Sequence, residues 1–151
     1  MPAKGTTFDT DLLKLIFNGT TIANLADNTL TSPLTNLYVS LHTGSPLVGG
    51  SQNTNEAAYT SYARVAVPRA DNGSGSAGWR VNGSSVTPGA TISFPACTGV
   101  STETETHFAV GTAPNVGDAG KILYFGTITP NINIANGVTA QLTTASSITE
   151  A

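Results

Sequence analysis

The chain has 151 residues, a formal net charge of −3, and only 10% Asp, Glu, Lys and Arg, where an average soluble domain carries about 25%. Its six basic residues are scattered, which argues against direct binding of nucleic acid, and the sequence lacks the apolar run of roughly 18 residues that a membrane span requires. Thr, Ser, Asn and Gly must therefore cover the surface, and such a weakly charged surface favours burial against neighbouring copies in an assembly.

The first predicted element is a short amphipathic helix, part of an N-terminal helix and arm over residues 1–35. Apolar residues recur there with the i, i+4, i+7, i+8 spacing of one helical face, which is expected to pack on the core. The members of this face are Phe8, Leu12, Leu15 and Ile16. The Asn-Gly pair at 18–19 is a natural helix stop.

At least five later segments alternate apolar and polar residues with period two, which indicates strands with one apolar face. They are residues 37–43, 62–67, 90–94, 105–110 and 138–143. Residues 121–128, KILYFGTI, are apolar on both faces and predict a central strand or a strand buried under a neighbour. GWRVNG, at 78–83, predicts another short strand.

Short strands joined by Gly-, Pro-, Asn- and Ser-rich turns predict an all-β fold. The expected architecture is an antiparallel β-sandwich, jelly-roll-like, over residues 36–151, which forms a single domain with the N-terminal helix and arm. The sequence does not alternate helices and strands as a parallel α/β sheet would. DNGSGSAG, at 71–78, is expected to be an exposed hairpin loop.

His42 and His107 fall on the polar faces of two predicted strands. If these strands are neighbours, both histidines come close to Glu56 and Glu105. The sequence has no H-x-H, H-E-x-x-H or C-x-x-C spacing, so we expect no metal site. The alternatives are ordinary hydrogen bonds or a subunit contact. The single cysteine, Cys97, is expected to be a small core residue rather than a nucleophile.

Motifs for the common enzyme classes are missing from the sequence. The nine acidic residues fall mostly in loops or at the helix start, and no G-x-S-x-G elbow, P-loop or dinucleotide fingerprint occurs. We therefore predict no catalytic residue, no cofactor and no enzymatic activity. Trp79 lies beside the Gly- and Ser-rich loop and is a candidate for a surface-loop contact, for example with carbohydrate.

Seven segments, taken together and in order, resemble a family of small virion proteins of tailed bacteriophages that is usually labelled tail-fibre-like. They span almost the whole chain. They are FDTDLLKLIFNGTT, LYVSLHTGSP, TNEAAYTSYARVAV, ISFPA, THFAVGTA, GKILYFGTITP and NGVTAQL. The most specific part is the combination of L-Y-x-x-L-H-T, N-E before Y-A-R, F-P and T-H-F-A.

The resemblance implies a non-enzymatic, β-rich virion component. Five of the pattern residues are polar members of the predicted strands and the loops before them, and we expect them to form a polar rim or an intersubunit network. They are Tyr38, His42, Glu56, Arg64 and His107. Within this set, Glu56 is expected to pair with Arg64.

A long fibre usually needs a shaft of repeats or coiled coil, and neither is visible in this sequence. The main prediction is therefore a capsid decoration or cement protein, a homotrimer that reinforces the shell. The alternative is a tail or tail-fibre-associated protein that contacts the host surface. The expected partners are copies of the chain itself and the major capsid protein or tail components. The expected location is the virion, after synthesis in the host bacterial cytoplasm.

Overall fold

A computed structural model describes residues 6–22, 33–100 and 102–150, with the backbone only for Thr6. Residues 23–32 of the predicted arm lie outside this description. The elements in chain order are α1 (Thr6–Asn18), β1 (Asn36–His42), β2 (Val65–Pro68), β3 (Trp79–Asn82), β4 (Ser85–Pro88), β5 (Ile92–Ser93), β6 (Glu103–Gly111), β7 (Ile122–Ile134), β8 (Gln141–Leu142) and β9 (Ile148–Thr149).

The strands form three sheets, with the orders β2-β1-β6-β7, β3-β4-β9 and β5-β8. The pairs β1–β6, β6–β7, β3–β4 and β4–β9 are antiparallel. The described residues hold a single, short N-terminal helix. The predicted fold class, mostly antiparallel β-structure of the kind found in β-sandwiches, is confirmed.

The chain packs into two compact units, each built from separate stretches. The first unit comprises Met1–Asn36, Val67–Thr91 and Leu142–Ala151, and the second comprises Leu37–Ala66 and Ile92–Gln141. These units do not test the predicted boundary between an arm (1–35) and a sandwich (36–151), which stays a prediction.

Helix α1 of the first unit ends where the sequence predicts. Gly19 has a φ of 66°, and the Thr20 N–H donates to the Lys14 carbonyl at 3.1 Å, which closes the last turn. The predicted core face was wrong. Leu13 and Phe17 are fully buried, whereas Phe8 is 41% exposed. The buried face therefore lies one residue further along the helix, about 100° around its axis.

Trp79 begins β3 and is only 2% exposed. Its indole packs edge-on against Phe17, with ring centroids 4.8 Å apart. The prediction of a surface-loop contact at Trp79 was wrong, because its ring lies in the core. The backbone N–H of Trp79 donates to the Ala70 carbonyl at 2.9 Å, so the residue that directly follows the loop is already in the core.

The loop at 71–78 is mostly exposed, as predicted. It is not a hairpin, however, because the strands on either side of it, β2 and β3, belong to different sheets. The hairpin of this region is β3–β4, in which Asn82 lies opposite Ser85. The turn between them contains Gly83, whose φ is 59°. The sequence patterns did not predict β4.

In the second unit, β1 and β6 are neighbours and His42 lies directly opposite His107. Several other strands are shorter than predicted. β2 begins at Val65 rather than at residue 62, and β5 and β8 have two residues each. The buried apolar residues of this unit include Leu37, Val39, Leu41, Tyr59, Phe94, Ala109 and Val110.

Strand β7 differs from the prediction for residues 121–128. It is longer than the segment 121–128, and it lies at the edge of the four-stranded sheet rather than at its centre. Phe125 is 37% exposed. The pairing with β6 is interrupted by a bulge, since Glu105 lies opposite Ile132 but His107 lies opposite Thr127. Residues 128–131 of β7 therefore face a single residue of β6.

Candidate functional site

The polar side of β1 is buried and does not face solvent. His42 has no exposed surface. Its Nδ1 lies 2.9 Å from the Thr54 carbonyl, and its Nε2 lies 2.9 Å from the Ser40 hydroxyl. Because a carbonyl only accepts, Nδ1 carries the proton and Nε2 accepts from Ser40. Burial lowers the pKa of His42, which keeps the ring neutral.

Glu56 lies next to His42, through an isolated bridge between the two backbones. Its carboxylate forms a two-pronged pair with Arg64, with Nε–Oε1 at 2.6 Å and Nη2–Oε2 at 2.9 Å. The side chains of Arg64 and Glu56 are 0% and 5% exposed. The predicted pairing of Glu56 with Arg64 is confirmed. The fork of the guanidinium matches the two carboxylate oxygens, which makes this a strong form of ion pair.

Tyr62 connects this pair to β1. Its hydroxyl donates to Glu56 Oε1 at 3.3 Å and accepts the Leu41 N–H at 3.0 Å. Its ring stacks on Phe94, with centroids 6.4 Å apart. Burial raises the pKa of the Tyr62 phenol. The hydroxyl therefore stays protonated and keeps its role as a donor.

Gln52 completes the site, and no sequence pattern pointed to it. It is fully buried. Its Nε2 donates to the Tyr38 carbonyl at 3.1 Å, and its Oε1 accepts the Ala113 N–H at 2.9 Å. A Cβ at Gly111 would lie 2.3 Å from the Gln52 amide carbon. The glycine at 111 is therefore the one available signal, because it leaves the space that the amide fills.

We call His42, Gln52, Glu56, Tyr62 and Arg64 the polar network. Its outward partners lie in the loop between β6 and β7. Arg64 donates from Nη1 to the Ala113 carbonyl at 2.9 Å and from Nη2 to the Asp118 carbonyl at 2.8 Å. Glu56 Oε2 accepts the Gly117 N–H at 3.1 Å. The network thus fixes the backbone of loop 112–120 from beneath.

A second loop, residues 43–50, is held by Asn55, the residue before Glu56 of the polar network. The Thr43 N–H donates to the Asn55 carbonyl at 2.9 Å, and the Asn55 side chain donates to the Ser45 carbonyl at 2.8 Å. The tips of the two loops expose three apolar side chains, which we call the loop surface. They are Leu47 at 62%, Val48 at 94% and Val116 at 47% exposure.

The other predicted site residues lie outside the polar network. The Tyr38 side chain is half-buried, and only its carbonyl contacts the network. The His107 Nδ1 lies 2.8 Å from the neighbouring Thr106 hydroxyl. Glu105 is fully buried on β6. Trp79 lies in the other unit. A role of the five pattern residues in intersubunit contacts stays a prediction.

The polar network acts by positioning the chain around it through hydrogen bonds. Both carboxylate oxygens of Glu56 accept hydrogen bonds, and each nitrogen of the Arg64 guanidinium donates. Among the described residues, no three His, Cys, Asp or Glu side chains gather as they would around a metal ion. Cys97 is buried, and its thiol donates to the Gly99 carbonyl at 3.5 Å. No described helix has the length and apolar character needed to cross a membrane.

Comparison with known proteins gives one family. A model of the family described as podophage GP4 fiber I protein gp80 matches residues 5–149. No curated protein matches the chain. A fibre family supports a structural role in a phage virion, and the predicted resemblance to tail-fibre-like phage proteins is confirmed at this level. Because the match spans nearly its whole length, the chain belongs to the podophage GP4 fiber I protein gp80 family.

Proposed function

We propose that this chain is a non-enzymatic structural component of a podophage tail fibre, and that its loop surface contacts the host cell. The observation that carries this proposal is the family match over residues 5–149, because the family is described as a fibre protein. The match favours the tail-fibre alternative over the main prediction of a capsid decoration protein.

The geometry of the loop surface supports a contact role. Hydrogen bonds from Arg64 and to Glu56 hold loop 112–120, and hydrogen bonds with Asn55 hold loop 43–50, so little conformational entropy would be lost when their tips bind a partner. Leu47 has a φ of 67°, a conformation that costs a bulky residue free energy. The Gly50 N–H holds it there by donating to the Leu47 carbonyl at 3.1 Å. Strain of this kind tends to persist where a loop must present side chains in a fixed way.

Capsid decoration by a homotrimer is the second candidate, and one specific observation favours it. Only 10% of the residues are charged, so many identical copies could sit side by side with little repulsion. In this case the partners would be other copies of the chain and the major capsid protein. In the fibre proposal they are copies of the chain and tail components.

The copy number of the protein in purified virions, measured by quantitative mass spectrometry, distinguishes the two candidates. We expect few copies relative to the major capsid protein. Gold-labelled antibodies against the chain should mark the tail in electron micrographs. A copy number comparable to that of the major capsid protein, with label over the head, would contradict the fibre proposal and support decoration.

Binding of the purified, labelled protein to host cells tests the loop surface. We expect the double variant Leu47→Ser/Val48→Ser to bind at least tenfold more weakly, since exposed apolar tips contribute little to folding but much to a contact. The matched control is Val100→Ser, an equally exposed valine of the same unit (96%) on the loop that precedes β6. Equal binding by both variants would contradict the role of the loop surface.

A further inference from the structure

A second cluster of titratable groups lies on β6, apart from the polar network. Glu103 and Glu105 are two residues apart on one strand, so their side chains point to the same face. Glu105 has no exposed surface, and as a carboxylate neither of its oxygens receives a hydrogen bond from a donor among the described atoms. A buried, unpartnered carboxylate is among the least stable arrangements in a protein.

Glu103 is bound differently. Its Oε1 accepts the backbone N–H groups of Ala58 and Tyr59 at 3.0 and 2.8 Å. These two residues belong to segment 57–60, which follows directly on Glu56 of the polar network. The Glu103 carboxylate therefore fastens this segment to β6.

Among the residues that the structure describes, none supplies a counter-charge to Glu105. The titratable groups around it are Glu103 on its own strand and Tyr59 on segment 57–60, with Cys97 beside Tyr59. The β7 residue opposite Glu105 is Ile132. Burial, followed by the neighbouring Glu103 carboxylate, raises the pKa of Glu105 to about 8. A proton on Glu105 resolves the conflict, because the acid then donates to the Glu103 carboxylate.

We propose that Glu105 and Glu103 share one proton as a pH-dependent latch, which holds segment 57–60 on β6 in acidic and neutral solution and releases it in alkaline solution. When hydroxide removes the proton from Glu105, the products are water and a second carboxylate. The buried Glu105 carboxylate and the half-buried Glu103 carboxylate then repel each other, and Glu103 moves away from the N–H groups of Ala58 and Tyr59.

The test combines two NMR measurements on the full chain between pH 4 and pH 10. The Glu105 side-chain carboxyl carbon should titrate near pH 8, well above the ordinary glutamate value of about 4.3. Hydrogen exchange of the Ala58 and Tyr59 amides, corrected for its intrinsic pH dependence, should accelerate about tenfold from pH 7 to pH 9. The Gly89 amide, which donates to the Gly78 carbonyl in the other unit, is the internal control.

The variant Glu105→Gln sharpens the test, because its side-chain amide donates to Glu103 at every pH. We expect it to retain slow exchange at Ala58 and Tyr59 up to pH 9. Titration of Glu105 in the ordinary acidic range would overturn the proposal. So would unchanged exchange at both amides across the titration. Both readouts come from the unmodified chain, so the result stands even if the variant fails to fold.

Discussion

Replacing Arg64 with alanine is the most direct perturbation of the polar network. The change removes four hydrogen bonds, two to Glu56 and one each to the carbonyls of Ala113 and Asp118. The Glu56 side chain is only 5% exposed in the native structure, so the variant leaves its carboxylate buried without the cation that balanced it. Breaking a buried pair on one side costs about 3–5 kcal/mol. A domain of ordinary stability has only about 5–15 kcal/mol to lose.

Urea unfolding followed by far-UV circular dichroism measures this cost. The double variant Arg64→Ala/Glu56→Gln should recover at least about 2 kcal/mol relative to the sum of the single changes, because it no longer buries an unpaired charge. The control is Arg80→Ala. Arg80 and Asp71 form a pair at 3.2 Å with side chains 44% and 40% exposed, and such pairs contribute about 0–1 kcal/mol.

Two results would refute this reasoning. In one, Arg64→Ala costs no more than Arg80→Ala. In the other, the single changes simply add in the double variant. The same Arg64→Ala protein also tests the predicted intersubunit role of Arg64 by size-exclusion chromatography. Weakened assembly would support that role, and unchanged assembly would count against it.

Gly111→Ala should destabilise the second unit by about 2 kcal/mol or more, because its Cβ would lie 2.3 Å from the buried Gln52 amide and 2.6 Å from the Lys121 carbonyl oxygen. Thermal unfolding measures this loss. The control is Gly44→Ala, whose Cβ would have its nearest neighbour atom at 3.5 Å and which should unfold near the wild-type temperature. His42 should make the protein sensitive to acid. Burial lowers the pKa of His42 in the folded protein from 6.5. As the pH falls below 6.5, the unfolded chain takes up a proton before the folded chain does, so the stability that neutral His42 contributes above that pH is lost. Relative to His42→Gln, the wild type should lose up to about 1.4 kcal/mol per pH unit below 6.5 in urea unfolding, and parallel curves for the two proteins would rule this out.

Local patterns predicted the parts of the fold that depend on local chemistry. The Asn-Gly stop closed α1 at residue 18, and strict alternation marked β1 and β6. The pairing of Glu56 with Arg64 was also predictable, because Glu56 lies in the loop just before the predicted strand that carries Arg64. In the helix stop and the ion pair, the residues that interact lie close together along the chain.

Patterns failed where distant contacts decide burial. Both possible faces of α1 contain apolar residues, and the ring of Trp79, far along the chain, selects the one that carries Phe17. The polar face of β1 looked solvent-exposed, yet Ser40 and His42 are buried there, and the Thr54 carbonyl, which is not part of β1, accepts a hydrogen bond from the His42 ring. Continuous apolar character in β7 suggested the centre of a sheet, but the four-stranded order leaves this strand at an edge. Periodicity cannot report strand order.

The bulge in β7 limits how a further strand can pair with this edge of the sheet. An open sheet edge is a template on which a further strand can add, and long uncharged edges are prone to uncontrolled stacking. From Ile122 to Ile134 the strand carries no charge at all. The bulge at 128–131 divides this edge into two short ladders, and Pro130 within it has no N–H to offer. A strand that docked on either ladder would have to stop at the bulge. The bulge therefore limits continuous strand pairing between copies of this protein along β7.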